Sequence, residues 1–143
     1  YNRHIKRTAE TLCWKKERKK KMSYCSNVAI TMFQEDYDRM VEQAKAIGGE
    51  DLAAIITTVP DVHDLLGSNG KNVVRLGYNC VKWNPYFDDV RFVEDFLNSG
   101  IAYHFIEICD DCDEPKVHGN LVDEDGGFEE TVCPVVRRYI SFD

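Results

Sequence analysis

The side chains with the most chemical potential in this chain are six cysteines, four histidines and a long series of neighbouring carboxylates. Cys109-Asp-Asp-Cys112 has the C-x-x-C spacing that chelates zinc or forms a redox couple, and His104, His118 and Cys133 can supplement it. A zinc site would draw on Cys109, Cys112, His118 and Cys133. A zinc ribbon, however, carries a second C-x-x-C, and a thioredoxin-like site sets its first cysteine at a helix N-terminus, where the thiol pKa falls. Here the pair follows a predicted strand and runs into an acidic loop, whose carboxylates raise a thiol pKa. Metal and redox chemistry therefore rank below packed or incidental cysteines, and no cofactor is expected. Cys25 and Cys80 lie in apolar runs and no secretory signal is recognisable, so reduced thiols and a cytoplasmic location are expected.

Carboxylates come in runs: Asp88-Asp89, Glu94-Asp95, Asp110-Asp111, Asp113-Glu114, Asp123-Glu124-Asp125 and Glu129-Glu130. Sequence neighbours point to opposite faces of a strand and diverge by about 100° on a helix, so such pairs rarely converge on one reacting atom. Asp123-Glu124-Asp125-Gly126-Gly127 lacks the alternating oxygen ligands and the terminal Glu of a calcium loop and reads as solvated. There is no phosphate-cradling Gly-rich loop, Gly-x-Ser-x-Gly elbow or His-Glu-x-x-His. His63 and His104 read as packed or surface histidines rather than bases, and nothing fixes Cys109 against His104 as a nucleophile pair. The reading leans away from an enzyme.

These residues must be positioned by a single fold, because 143 residues support one modest core. Val28, Ile30 and Met32 alternate with polar or small residues, as in a half-buried strand. Tyr37, Met40, Val41, Ala44 and Ile47 recur at helical spacing behind Glu35-Asp36, and Gly48-Gly49 is the expected stop. Residues 50–66 read as a helical insert broken at Pro60, and Gly67-Ser68-Asn69-Gly70 as a loop. Val74, Leu76, Tyr78 and Cys80 alternate before the phase slips at Val81 and Trp83, which predicts a strand with a bulge. After Asn84-Pro85, Val90, Val93, Phe96 and Leu97 make an apolar helical stripe, with Asp88, Asp89, Glu94 and Asp95 expected largely away from it.

Ile101 to Cys109 reads as an interior strand, residues 110–130 as an acidic loop, and Thr131 to Phe142 as an edge strand. The expected architecture is α+β: a small mixed sheet of about four strands in the order β-α-(α)-β-α-β-β, with helices mainly on one face and parallel character among the first three strands.

Charge divides the chain. Residues 1–22 hold nine Lys/Arg against Glu10 and Glu17, leaving nine Lys/Arg against 23 Asp/Glu in residues 23–143, or +7 and -14. The basic run ends at Met22, so residues 1–21 are read as a tail, foreign to the native domain in the favoured reading, and 22–143 as a single acidic domain. An acidic body is a poor ligand for free nucleic acid and suits a basic partner. No stretch approaches the roughly 18 apolar residues of a membrane span, so no membrane partner is expected. Nothing in the sequence indicates an oligomeric state.

The stretch Val73 to Glu107, with Val81-Lys82-Trp83, Phe87-Asp88-Asp89-Val90, Phe92-Val93-Glu94-Asp95-Phe96-Leu97 and Tyr103-His104-Phe105-Ile106-Glu107, resembles small acidic proteins of bacteriophage and mobile-element genomes. Ser26-Asn27-Val28-Ala29-Ile30 and Glu35-Asp36-Tyr37 are similar to their first strand and helix, so the resemblance spans about residues 26–112. It implies a bacterial host cell, and a protein that binds and blocks a host enzyme.

The expected role is a non-enzymatic inhibitor that mimics nucleic-acid charge and binds a basic host protein or nucleic-acid enzyme. Partner contacts are expected from Trp83, Tyr86, Asp88, Asp89, Glu94, Asp95, Asp110, Asp111, Asp113 and Glu114. The alternatives are a zinc or redox module on Cys109 and Cys112, and a small enzyme without a recognisable motif.

Overall fold

The computed structural model describes residues 25–109, 114–121, 126–136 and 139–142. The first strand, β1 (Ser26–Phe33), is buried along nearly its whole length, as its apolar run requires. It leads directly into α1 (Gln34–Thr57), whose Asp36, Tyr37, Met40 and Ala44 are buried at helical spacing. Gly48-Gly49 does not end this helix. The backbone leaves helical geometry at Gly49 alone, at φ 69°, and a second helical segment continues at once to Thr57. Glycine tolerates that φ without steric cost, so the pair acts as a kink.

Three carbonyls at the end of α1 have identified donors. Ala54 O accepts from the backbone N–H groups of Thr58 and Val59, Ile55 O from the Tyr78 hydroxyl at 2.9 Å, and Ile56 O from the Tyr37 hydroxyl at 3.2 Å. Two aromatic hydroxyls thus satisfy acceptors that a helix end leaves without partners.

Beyond Pro60 the expected helical turn is a strand, β2 (Val62–Ser68), which pairs antiparallel with β3 (Lys71–Val81). The sequence disguised it because Asp64 lies on the less exposed side of the strand and Leu65 on the exposed side. Asp64 is stabilised there by its cross-strand partner, the buried Arg75, at 2.9 Å. Asn69 and Gly70, both at positive φ, form the turn between the strands, the pattern of a type I′ hairpin. The extra strand reverses the chain once more than expected. β3 therefore runs antiparallel to β1, and the parallel character anticipated for the first three strands does not occur.

After α2 (Asp88–Leu97), β4 (Tyr103–Cys109) pairs antiparallel with the other side of β1, and β5 (Lys116–Asn120) pairs with β4. β5 lies within what reads as acidic loop; its five residues are all exposed, which removes the apolar signal of a strand. The five-stranded sheet has the order β2-β3-β1-β4-β5. Its first four strands with α1 and α2 give the β-α-β-β-α-β succession of ferredoxin-like domains. The expected C-terminal edge strand is instead a separate hairpin, β6 (Val135–Val136) with β7 (Ile140–Ser141), following a 3-10 turn at Glu130–Val132.

Strand alternation sorts the core into two clusters. The larger joins Val28, Ile30 and Met32 of β1, Val74, Leu76 and Tyr78 of β3, and Tyr103 and Phe105 of β4 to Met40, Leu52 and Ile56 of α1 and Val93 and Phe96 of α2. The smaller takes residues of the opposite alternation, Phe33, Val73 and Ala102, and packs them on Phe128 and Cys133. Residues 126–136 and 139–142 are tied down by side chains of the β2–β3 hairpin. Ser68 Oγ accepts from Glu129 N at 2.8 Å, and Arg75 Nη1 donates to Val132 O at 3.3 Å while its guanidinium lies 5.1 Å from the Phe142 ring.

The expected slip near Val81 is present: the β1–β3 register shifts between Ser26 and Val28. Asn27 Oδ1 accepts the Cys80 N–H at 2.8 Å, and Cys80 has φ 55°. Cys25 and Cys80 are joined in a disulfide with Cα atoms 4.6 Å apart, contrary to the expectation of reduced thiols. They face each other across the bulged end of two neighbouring strands, where both are half-buried rather than sealed in the core. No helix among the described residues is long and apolar enough to cross a membrane.

Candidate docking surface

The turn from β3 into α2 is hydrogen-bonded at its base. Asn84 accepts the Tyr86 N–H through Oδ1 at 2.9 Å and the Phe87 N–H through its carbonyl at 3.0 Å, an Asx-type turn extended by Pro85. On this frame Tyr86 is 89% exposed. Trp83 is turned the other way. Its ring packs between Tyr78 and Phe105, at 5.8 and 5.9 Å, and its Nε1 donates to Glu94 Oε2 at 2.8 Å.

The paired aspartates at the start of α2 do not form an outward acidic row. Both Asp88 and Asp89 are buried. Asp88 receives the Arg91 guanidinium, Asp89 Oδ1 accepts the Val90 N–H at 2.8 Å, and both carboxylates sit in the first turn of the helix, where its dipole favours negative charge. The expectation that they lie away from the apolar stripe is corrected by their burial in this first turn. Glu94 is half-buried against Trp83, and Asp95 alone of the four is exposed. Glu114 is exposed, while Asp110, Asp111 and Asp113 lie outside the described residues.

The candidate zinc ligands are held by different parts of the fold. Cys109 is disulfide-bonded, and Cys112 lies outside the described residues. His118 stacks on Phe105 at 4.6 Å and meets the Tyr103 hydroxyl at 3.1 Å through Nδ1, whereas Cys133 is buried in the smaller cluster with Phe33 and Phe128. Among the described residues no group of three or more His, Cys, Asp or Glu is placed to hold a metal ion. Burial, with Glu94 nearby, raises the Tyr103 phenol above its ordinary range. His63 is exposed on β2 and His104 half-buried on β4, cross-strand from Thr31.

The exposed acidic row is on α1. Glu35, Asp38 and Glu42 are all exposed at positions i, i+3 and i+7, on the side opposite the buried Tyr37, Met40 and Ala44. At 1.5 Å per residue their axial steps are about 4.5 and 6 Å. Asp38 accepts from Gln34 Nε2 at 2.8 Å, and Glu35 lies 4.0 Å from Lys71. Sequence reasoning passed over this row because only Glu35 belongs to an adjacent acidic pair; the signal lay in helical rather than contiguous spacing. The buried Glu107, which accepts from Ser26 Oγ at 2.8 Å and has Lys116 at 3.9 Å, was also missed, and its strand gave no sign that a carboxylate would be held inside.

Beside the row, Arg39, Gln43 and Ile47 of α1 face Phe92, Asp95 and Phe96 of α2, together with Ser99 just beyond it, across a cavity of about 470 Å³. Arg39 donates to Asp36 Oδ1 at 2.7 Å, and its guanidinium lies 5.6 Å from the Phe96 ring. Ile47 is 40% exposed. No family model matches the chain, and neither a curated protein nor a solved structure matches it.

Proposed function

We propose that this chain is a non-enzymatic acidic docking protein that binds a basic protein and occupies its nucleic-acid groove, as a phage-type inhibitor of a host enzyme would. The observation that carries the reading is the exposed Glu35–Asp38–Glu42 row, backed by a body of formal charge -14 over residues 23–143. A nucleic-acid strand presents one phosphate per 3.4 Å of axis, so carboxylates repeating every 4.5–6 Å on a rigid helix offer a cationic groove a similar line of charge. Tyr86, exposed on its braced turn, supplies an aromatic anchor of the kind that dominates protein interfaces.

The test is affinity capture with the wild-type chain and with the triple variant Glu35→Gln/Asp38→Asn/Glu42→Gln, at about 50 and 500 mM salt. The Debye length falls from roughly 14 Å to about 4 Å between those conditions, so a charge-steered partner retained at low salt should be lost at high salt. The reading expects a nucleic-acid-binding protein retrieved by the wild type, displaced by competing duplex DNA and missing with the triple variant. A partner that tolerates high salt and the triple substitution would overturn it.

A further inference from the structure

From the groove between the two helices we infer a binding site for a basic amphipathic helix of the partner protein. This inference rests on the reading above and names the element recognised. Arg39, Gln43 and Ile47 stand four residues apart along α1 and span about 12 Å of axis; Phe92, Asp95, Phe96 and Ser99 follow i, i+3, i+4 and i+7 spacing beyond and along α2. Two such ridges with a hollow between them form the receptor half of helix-in-groove recognition, which accepts two to three turns of a helix bearing apolar side chains at i, i+3/4 and i+7.

The chemistry of the lining selects the occupant. Ile47 and the half-buried Phe92 give the floor an apolar surface that water hydrates poorly. The one cation, Arg39, is already held by Asp36 and stacked on Phe96. Asp95 in the lining and Glu42 on the neighbouring row have no ion-pair partner among the described residues. The net demand of the groove is therefore for apolar groups below and cations at the rim. An anionic helix would be repelled by the row, and a helix without an apolar face would leave Ile47 and Phe92 wet.

The experiment uses the full chain and two synthetic 14-residue peptides of identical Leu/Lys composition, one with leucines at i, i+3, i+7 and i+10, the other scrambled. Binding is read by fluorescence anisotropy and by backbone amide shifts. The amphipathic peptide should bind about tenfold more tightly than the scrambled one and shift amides of residues 39–47 and 92–99, since partial burial of one Ile-sized side chain is enough for that factor. Ile47→Ser should erase most of the preference, and Asp95→Asn should weaken both peptides while leaving the preference. Equal binding of the two peptides would overturn the groove site and leave the general acidic reading standing. Failure of both peptides to bind would overturn both. Amide shifts confined to other surfaces, self-association blocked by Ile47→Ser, or the same shifts with phosphatidylcholine vesicles and none with peptide would each overturn a helix as occupant.

Discussion

Replacing Tyr78 by Phe removes one oxygen from the centre of the molecule and should leave a signature that changes with pH. The Tyr78 hydroxyl is buried and donates to Ile55 O at 2.9 Å, at the end of α1. Without it that carbonyl keeps its desolvation penalty and loses its donor, a cost of about 1–2 kcal/mol near neutrality. Burial, reinforced by Tyr37 and Asp89, pushes the Tyr78 pKa far above the ordinary phenol range. The sign of the linkage follows. A pKa raised in the folded state means that the unfolded chain ionises first, so this hydroxyl's share of stability is complete below about pH 10 and is lost as pH rises toward the folded pKa.

At pH 11 the loss in the wild type from this one group is about 1.4 kcal/mol, taking an unfolded phenol pKa of about 10. The variant has no such group, so its deficit at pH 7 should shrink by about that amount at pH 11. Other titrating groups are common to both proteins and cancel in the difference. Urea unfolding followed by far-UV circular dichroism at pH 7, 9 and 11 measures it, with equal m-values as the check that one transition is being compared. A deficit that stays constant from pH 7 to 11 would refute the reasoning, because it would mean the hydroxyl titrates in the folded protein as it does in water.

Two further outcomes follow from the strands. An added Cβ at Gly119 would collide with the Tyr103 carbonyl oxygen across the β4–β5 pair, so Gly119→Ala should cost about 1–3 kcal/mol and raise amide exchange in Lys116–Asn120 selectively, as hydrogen-exchange mass spectrometry would report. The Cys25–Cys80 disulfide links residues 55 apart, and chain-entropy arithmetic for a loop of that length gives about 4 kcal/mol; Cys25→Ser/Cys80→Ser should lower the urea midpoint accordingly, and reductant should have little further effect at this bond.

The sequence was most legible where burial alone decides structure. Val28, Ile30 and Met32, the Tyr37–Met40–Ala44 spacing, the Val90–Val93–Phe96–Leu97 stripe and the slip near Val81 each mark an element that exists, because one side of each must leave water. The reading failed where a pairwise interaction outweighs pattern. Arg75 is acceptable in the buried part of the sheet because Asp64 lies across from it, and Asp64 is eleven residues away, outside any local window. β5 is specified by pairing with β4 and not by an apolar face. For the candidate surface, contiguous carboxylates were the visible signal, but Asp88 and Asp89 are buried in the first turn of α2, while the charges left exposed on α1 are spaced by the helical repeat.

The topology restricts which surface can dock. In a bare β-α-β-β-α-β domain one face of the sheet is open, and a partner would be expected to use it. Here Phe33, Val73 and Ala102 on that face are packed against Phe128 and Cys133, and an added Cβ at Gly77 would meet the Phe142 ring at 2.8 Å. Strand residues of the opposite alternation share one continuous core with residues of both helices. Among the described residues, a partner that leaves this packing intact can reach the outer sides of α1 and α2, the Tyr86 turn, the sheet edges at β2 and β5, and the exposed Val135 and Tyr139 of the covering segment. An edge offers backbone hydrogen bonds to any extended chain and has little charge selectivity. The helix layer instead combines the Glu35–Asp38–Glu42 row with the apolar hollow at Ile47 and Phe92. If a basic partner docks as proposed, its selectivity belongs on the helices, and substitutions on β5 that preserve its pairing should leave that selectivity unchanged.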